Sequence, residues 1–258
     1  MLQLAREIYQ NRELIWALAL KELHVRYKRS LLGFLWALLH PLFMMIIMTV
    51  VFSSIIRSPV DKYAVFLISM LLPWIFFSQA LTYSVECLVS NGDLLKKVRV
   101  AKSVFPVAAV LSNTINFVLS LLPLALLLVA LRFPLHWTWI YLPVPMLGLL
   151  MFVLGCAFFL SAANVYFRDM THIMQIILQG WFYFSPILFS LELLPQHYRM
   201  LFRLNPMLYI LNGFRLAIYY GQLPTLQSVA ASIAIGAFTL FLGYSFFRRL
   251  EHTFALYV

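Results

Sequence analysis

Nine acidic residues, six histidines and two cysteines are the groups from which this 258-residue chain would have to build acid–base, nucleophilic or metal chemistry. Hydrolysis or group transfer needs several of them to converge on one place. Nearly every Asp and Glu instead stands beside a Lys or Arg at the edge of an apolar run, and the histidines, at 24, 40, 136, 172, 197 and 252, never recur at a ligand spacing. Cys87 and Cys156 lie far apart, in or beside apolar stretches, and read as small packed hydrophobes. No Gly-x-x-x-x-Gly-Lys phosphate loop occurs, so ATP has no usual grip on this chain. The residues imply no catalytic constellation, no metal site and no cofactor of its own.

What the chain does concentrate is aromatic surface, with 23 Phe, 13 Tyr and 6 Trp. Rings offer flat apolar faces, and Tyr and Trp add a polar handle, a combination that suits the C–H faces of sugars and lets a chain slide without one deep well. Trp74, Phe76 and Phe77 follow Pro73, and Trp181, Tyr183 and Phe184 form a second group. These six are the candidates for lining a substrate path; the competing reading for each is a lipid-facing or interhelical ring. Arg215 joins them as a charge inside an apolar segment, either lining a water-filled path or snorkelling to an interface.

The elements that must position these residues are set by composition. With 63% hydrophobic and 11% charged residues and a mean hydropathy of +0.90, the chain lies far from the roughly 45–50% apolar and 25% charged balance of soluble domains. A water-soluble globule is excluded, and a single all-α membrane domain of about six helices is expected. Residues 1–32 form a cytoplasmic interfacial arm: Leu4, Ile8, Ile15 and Leu18 share a helical stripe among Arg6, Glu7, Arg12, Glu13, Lys21 and Glu22. Residues 33–258 form the transmembrane domain. Its spans are expected at about 33–56, 63–85, 105–131, 141–165, 171–191 and 226–247. A cleavable signal peptide is not expected, since the first apolar run follows a long polar arm.

The stretch 195–220 does not fit a span. Within it, the apolar residues of Met207 to Tyr220 supply about −2 to −4 kcal/mol of insertion energy while a central Arg215 costs roughly +2.5 to +3.5. A re-entrant pair of half-helices broken at Asn205-Pro206 is expected instead. The net charge of +10 forms no continuous stripe, which argues against nucleic acid. It does sort by side. Arg6, Arg12, Lys21, Arg26, Lys28, Arg29, Lys96, Lys97, Arg99, Lys102, Arg168, Arg248 and Arg249 fall on the inner side, and Arg57, Lys62, Arg132, Arg199, Arg203 and Arg215 on the outer. That bias predicts both termini in the cytoplasm.

From Arg26 to Pro41 a densely basic segment passes straight into uncharged apolar sequence, with Trp36 at interfacial depth. Arg26-Tyr27, Ser30, Leu32-Gly33, Trp36 and Pro41, then Asn164, Arg168-Asp169, Phe184-Ser185-Pro186-Ile187 and Asn205-Pro206, resemble in type and order the type-2 ABC exporter permeases for O-antigen, capsule and teichoic acid. The resemblance covers nearly the whole chain. It implies a homodimer whose two copies form a pore in the bacterial inner membrane, two copies of a separate ATPase subunit that carries ATP and Mg, and a lipid-linked polysaccharide as cargo. It further implies a gate or interface role for Arg26, Tyr27, Arg29, Gly33 and Trp36. Two inner connections, holding Asp93, Lys96, Lys97, Arg99, Arg168 and Asp169, would dock on the ATPase. The plainer alternative is that these charges only hold the loops inside. Competing functions are a drug or lipid efflux permease of the same superfamily, an integral membrane glycosyl or acyl transferase, and a passive channel.

Overall fold

The computed structural model describes residues 2–27, 35–51, 62–97, 100–130, 132–193 and 195–257, and every regular element among them is helical. The order is α1 (Leu2–Gln10), α2 (Arg12–Tyr27), α3 (Leu35–Thr49), α4 (Tyr63–Ser90), α5 (Gly92–Lys97), α6 (Val104–Ala130), α7 (Pro143–Tyr166), α8 (Met170–Tyr183), α9 (Gln196–Arg203), α10 (Pro206–Arg215), α11 (Leu226–Leu250) and α12 (Phe254–Tyr257). A 3₁₀ turn, Trp137–Tyr141, precedes α7, and a π-type turn, Leu216–Tyr220, follows α10.

Among the described residues four helical stretches are long and apolar enough to cross a membrane: Tyr63–Ser90, Val104–Leu126, Trp137–Tyr166 and Leu226–Leu250. They correspond to the second, third, fourth and last expected spans. Only 35–51 of the expected first span, 33–56, lies within the described residues. The fifth departs from expectation, because α8 ends at Tyr183 rather than running to 191. Pro186 supplies no N–H and pushes the residue before it out of helical geometry, so the chain turns away as soon as the proline is near. Helix breaks further on follow the same chemistry. Asn205 caps α10 by accepting from the Met207 N–H at 3.0 Å, with Pro206 at the first helical position, and Thr225 caps α11.

Helix α4 is the centre of the bundle. Val65, Leu67, Phe77, Ala80, Leu81 and Leu88 are all fully buried, because α4 meets α3, α6, α7, α8 and α10 on different faces. A helix apolar on every side is a buried helix. By contrast α7 and α11 approach through missing side chains. A Cβ at Gly236 would stand 2.5 Å from the Gly148 carbonyl oxygen, and one at Gly243 would collide with the backbone of Gly155. The glycines are seven apart on each helix, so both pairs fall on one seam.

In the polar arm Leu4, Ile15 and Leu18 are buried, Ile8 is half-buried, and α2 lies against α6. The connections sort into two ends. At one, Glu7 of α1 meets Arg248 and the Ser103 hydroxyl, and the tail after α11 meets Lys102 and Arg168. At the other, the Tyr63 hydroxyl donates to the Leu188 carbonyl at 2.7 Å, Lys62 lies over Phe133, and Thr138 donates to the Ala217 carbonyl. Gly221 closes this end at a φ of 62°, a left-handed turn where any side chain would also strike the His136 ring.

Candidate functional site

The turn after α8 leaves a helix and never enters another regular element until 191, so its carbonyls lose their helical partners. Buried side chains from elsewhere replace them. Arg215 donates from Nη1 to the Pro186 carbonyl and from Nη2 to the Ile187 carbonyl, each at 2.9 Å, with its guanidinium 3.7 Å from the Phe66 ring centroid. Asn205 donates from Nδ2 to the Phe184 carbonyl at 2.9 Å and to Ser185 Oγ at 3.0 Å, while its Oδ1 accepts from Trp181 Nε1 at 2.9 Å. With Tyr63 on Leu188, four of the five carbonyls from 184 to 188 are held by side chains. Within the protomer Arg215 is buried against this turn. At 4% exposure it is a clamp whose charge is solvated by carbonyl dipoles.

The six aromatic candidates divide. Trp74, Phe76 and Phe77 are buried, and Trp181 is half-buried beside them, 6.5 Å from the Trp74 ring, 5.4 Å from Phe77 and 6.3 Å from Phe152. Trp74, Phe77, Phe152 and Trp181 pack α4, α7 and α8 together, while Phe76 turns to Phe117 of α6 at 5.4 Å, and the three buried rings of α4 present almost no surface within the protomer. Tyr183 and Phe184, just beyond Trp181, are 63% and 47% exposed. Phe184 stacks on Phe202 of α9 with centroids 5.1 Å apart. So the tip of α8 offers rings outward while the rings one turn earlier fix its position.

At the opposite end, α2 is tied to α6 by polar side chains. The Ser112 hydroxyl donates to Glu22 Oε2 at 2.8 Å, and Arg26 donates to Asn113 Oδ1 at 3.1 Å while lying 3.8 Å over the Tyr83 ring. Burial pushes the Glu22 carboxyl above its usual range, partly offset by the Ser112 hydroxyl and by the charges of Arg26 and Lys21. Tyr27 is the last residue of α2, and Trp36 stands exposed near the start of α3. Arg29, Gly33 and Arg99 lie outside the described residues. On α5, Gly92 and Leu95 are buried whereas Asp93, Lys96 and Lys97 are exposed, and Arg168 and Asp169 are exposed on the link before α8. The described charged residues of both connections are thus exposed.

A family model described as ABC-2 type transporter matches residues 13–219. The chain belongs to the ABC-2 type transporter family. Among curated proteins, this ABC-2 chain is 34% identical to the O-antigen export system permease protein RfbA of Myxococcus xanthus, over 99% of both chains. It is 27% identical to a Klebsiella pneumoniae protein of the same description, over 94% of each, and 26% identical to the polysialic acid transport protein KpsM of Escherichia coli, over 91% of this chain and 92% of that one. The matched region includes nearly all of the tied α2, the connections at 92–106 and 166–169, and the clamped turn of this ABC-2 chain. Sequence reasoning missed two contacts within it. Tyr83 under Arg26 gives no sequence signal, because the two are far apart in the chain. The Asn205 bridge to Trp181 was foreshadowed only as a helix break.

Proposed function

We infer that this chain is the membrane-spanning permease subunit of an ATP-driven exporter that moves a lipid-linked polysaccharide from the cytoplasmic to the outer face of a bacterial inner membrane. The observation that carries this is the 34% identity over 99% of both chains with a permease of O-antigen export, within a family match that spans most of the sequence. Energy enters through a separate ATPase subunit that binds ATP and Mg, docked at the exposed charged residues of α5 and of the 166–169 link. Two copies of the chain form the path. Exposed apolar residues on α3 (Phe43, Ile46, Ile47) and α8 (Ile173, Ile176, Ile177) are available to meet a second copy or lipid. Tyr183 and Phe184 are proposed as the rings that cargo passes, and both termini are placed on the cytoplasmic side by the charge bias. The test is complementation: cells lacking the permease regain surface polysaccharide when given this chain together with its ATPase, and not when given an ATPase disabled in hydrolysis. Surface polysaccharide that persists with the disabled ATPase refutes the reading.

One observation favours a second reading within the family. A cavity of about 690 Å³ between α4, α7, α8 and α11, lined by residues such as Leu81, Phe159, Met174 and Phe238, is almost wholly apolar. An efflux permease for an apolar molecule would use such a space. Restored drug or lipid efflux without restored polysaccharide would select it.

A further inference from the structure

The apolar cavity of about 690 Å³ between α4, α7, α8 and α11 has one charged end. Gly155 of α7 and Gly243 of α11, which let those two helices approach, leave its floor bare, and Phe159 and Phe246, with ring centroids 4.7 Å apart, form an edge. Leu81 of α4 and Met174 and Trp181 of α8 close the far side. On α11 the lining residues Phe238, Leu242, Ser245 and Arg249 recur at intervals of three and four, so a single face of that helix runs the length of the space. Among the described lining residues Arg249 is the only charged one.

That end carries donors the chain does not use. Arg248, one position earlier, is taken by Glu251 and, at 3.5 Å, by Glu7. Arg249 is exposed, and among the described residues neither its guanidinium nor the half-buried Ser245 hydroxyl, one turn away on the same face, makes a hydrogen bond or ion pair. The depth of the slot is equally specific. From Phe238 to Arg249 the helix rises about 16 Å, as α8 does from Met170 to Trp181. That is about half of the roughly 30 Å hydrocarbon core, the depth of one leaflet. A transmembrane helix of a second copy would run the whole thickness rather than end midway. A free cation and a hydroxyl at headgroup level, above an apolar slot one leaflet deep, match the two parts of an anionic lipid, and basic pockets between membrane helices take such headgroups. We propose that this cavity binds an anionic phospholipid of the leaflet at the α11 C-terminal end, its phosphate on Arg249 and Ser245 and one acyl chain lying along α11 between α7 and α8. The assignment needs only the membrane-spanning helices and does not depend on which cargo the chain moves.

The full chain is reconstituted in phosphatidylcholine nanodiscs that hold a trace of either phosphatidylglycerol or phosphatidylcholine with a photoactivatable group at the end of one acyl chain, and the labelled residues are mapped by mass spectrometry. Phosphatidylglycerol is expected to label Cys156 and Trp181 at the deep end, and phosphatidylcholine about fivefold less, the worth of one cation beside an anionic headgroup. Arg249→Gln should make the two lipids equal, whereas Arg249→Lys should keep the difference. Equal labelling by both lipids in the wild type overturns the proposal, as does a preference that survives Arg249→Gln. An absence of label at the deep end from either lipid overturns it too, and gives the slot to a second copy of the chain. Label displaced by a polyprenyl phosphate but not by unlabelled phosphatidylglycerol would assign the site to a lipid-linked cargo and refute the phospholipid.

Discussion

Helices α7 and α11 and the turn after α8 are held by opposite means. The first pair meets along a seam of small residues, Gly148 and Gly155 facing Ser232, Gly236, Thr239 and Gly243, so that backbone lies close to backbone. The turn is held by side chains reaching in: Arg215, Asn205 and Tyr63 take carbonyls that no helix can satisfy. Close packing of small residues lets backbone meet backbone, and its strength depends on shape, through dispersion and close approach. A turn pinned by a few hydrogen bonds is specific yet separable, because each bond is worth about 0.5–1.5 kcal/mol net while its loss leaves a buried group unpaired. The exposed rings of Tyr183 and Phe184 sit on the second kind of structure.

The widest breach of this contrast is expected at the seam. Gly155→Leu or Gly243→Leu forces two backbones apart, costing the upper end of the about 1–3 kcal/mol typical of overpacking or beyond it. Little or no folded protein should be recovered by size-exclusion chromatography in detergent, and a normal monodisperse yield would break the seam argument. Next comes Arg215→Met, which strips the Pro186 and Ile187 carbonyls of their donors at about 1–3 kcal/mol for each group left buried and unpaired. The thermal midpoint should fall and protease should cut within 184–190, with Arg215→Lys recovering only part of the loss because one ammonium cannot reproduce the planar fork. Asn205→Ala removes a helix cap and a bridge to Trp181, a loss of about 1 kcal/mol for the cap alone. Its midpoint should lie between those of Arg215→Met and wild type.

Two further changes sharpen the comparison without large effects on folding. Tyr183→Ala with Phe184→Ala removes two largely exposed rings, so the stability cost should be little more than the about 0.5–1.5 kcal/mol of the Phe184–Phe202 stack. Export of surface polysaccharide should nevertheless drop severalfold at equal protein level, and unchanged export would remove these rings from the path. The smallest effect is expected at Glu22. Its carboxyl is raised by burial, so ionisation costs stability: the protonated form is favoured below the unfolded value, and that advantage is lost as pH rises through the folded one. Glu22→Gln keeps an acceptor for Ser112 and should flatten the difference in thermal midpoint between mildly acidic and neutral pH. An identical pH profile in both proteins would show that Glu22 ionisation is not coupled to docking of α2.

Much of this was legible from residue order, and the failures have physical causes. The break at Asn205-Pro206 is a local matter of a capping side chain and a proline ring, so the sequence pattern suffices to place it. The end of α8 was misplaced although Pro186 was in view, because hydropathy averages over a window and carries no term for one missing N–H. The glycine seam was equally visible as seven-residue spacing on two segments. Its meaning depends on which two helices face each other, which spacing within either one cannot say.

Composition and charge order alone determined that the chain is a helical membrane protein, and roughly where it turns, because burying apolar runs in lipid and keeping Lys and Arg at their ends are properties of each segment by itself. Only the tertiary structure decided that Arg215 clamps the turn after α8, that Trp74 and Phe77 face inward while Tyr183 faces out, and that the tail after α11 meets Lys102 and Arg168. These are relations between residues tens to hundreds of positions apart. The direction of a side chain on a helix apolar all round is fixed by its neighbours in space, and no periodicity records them.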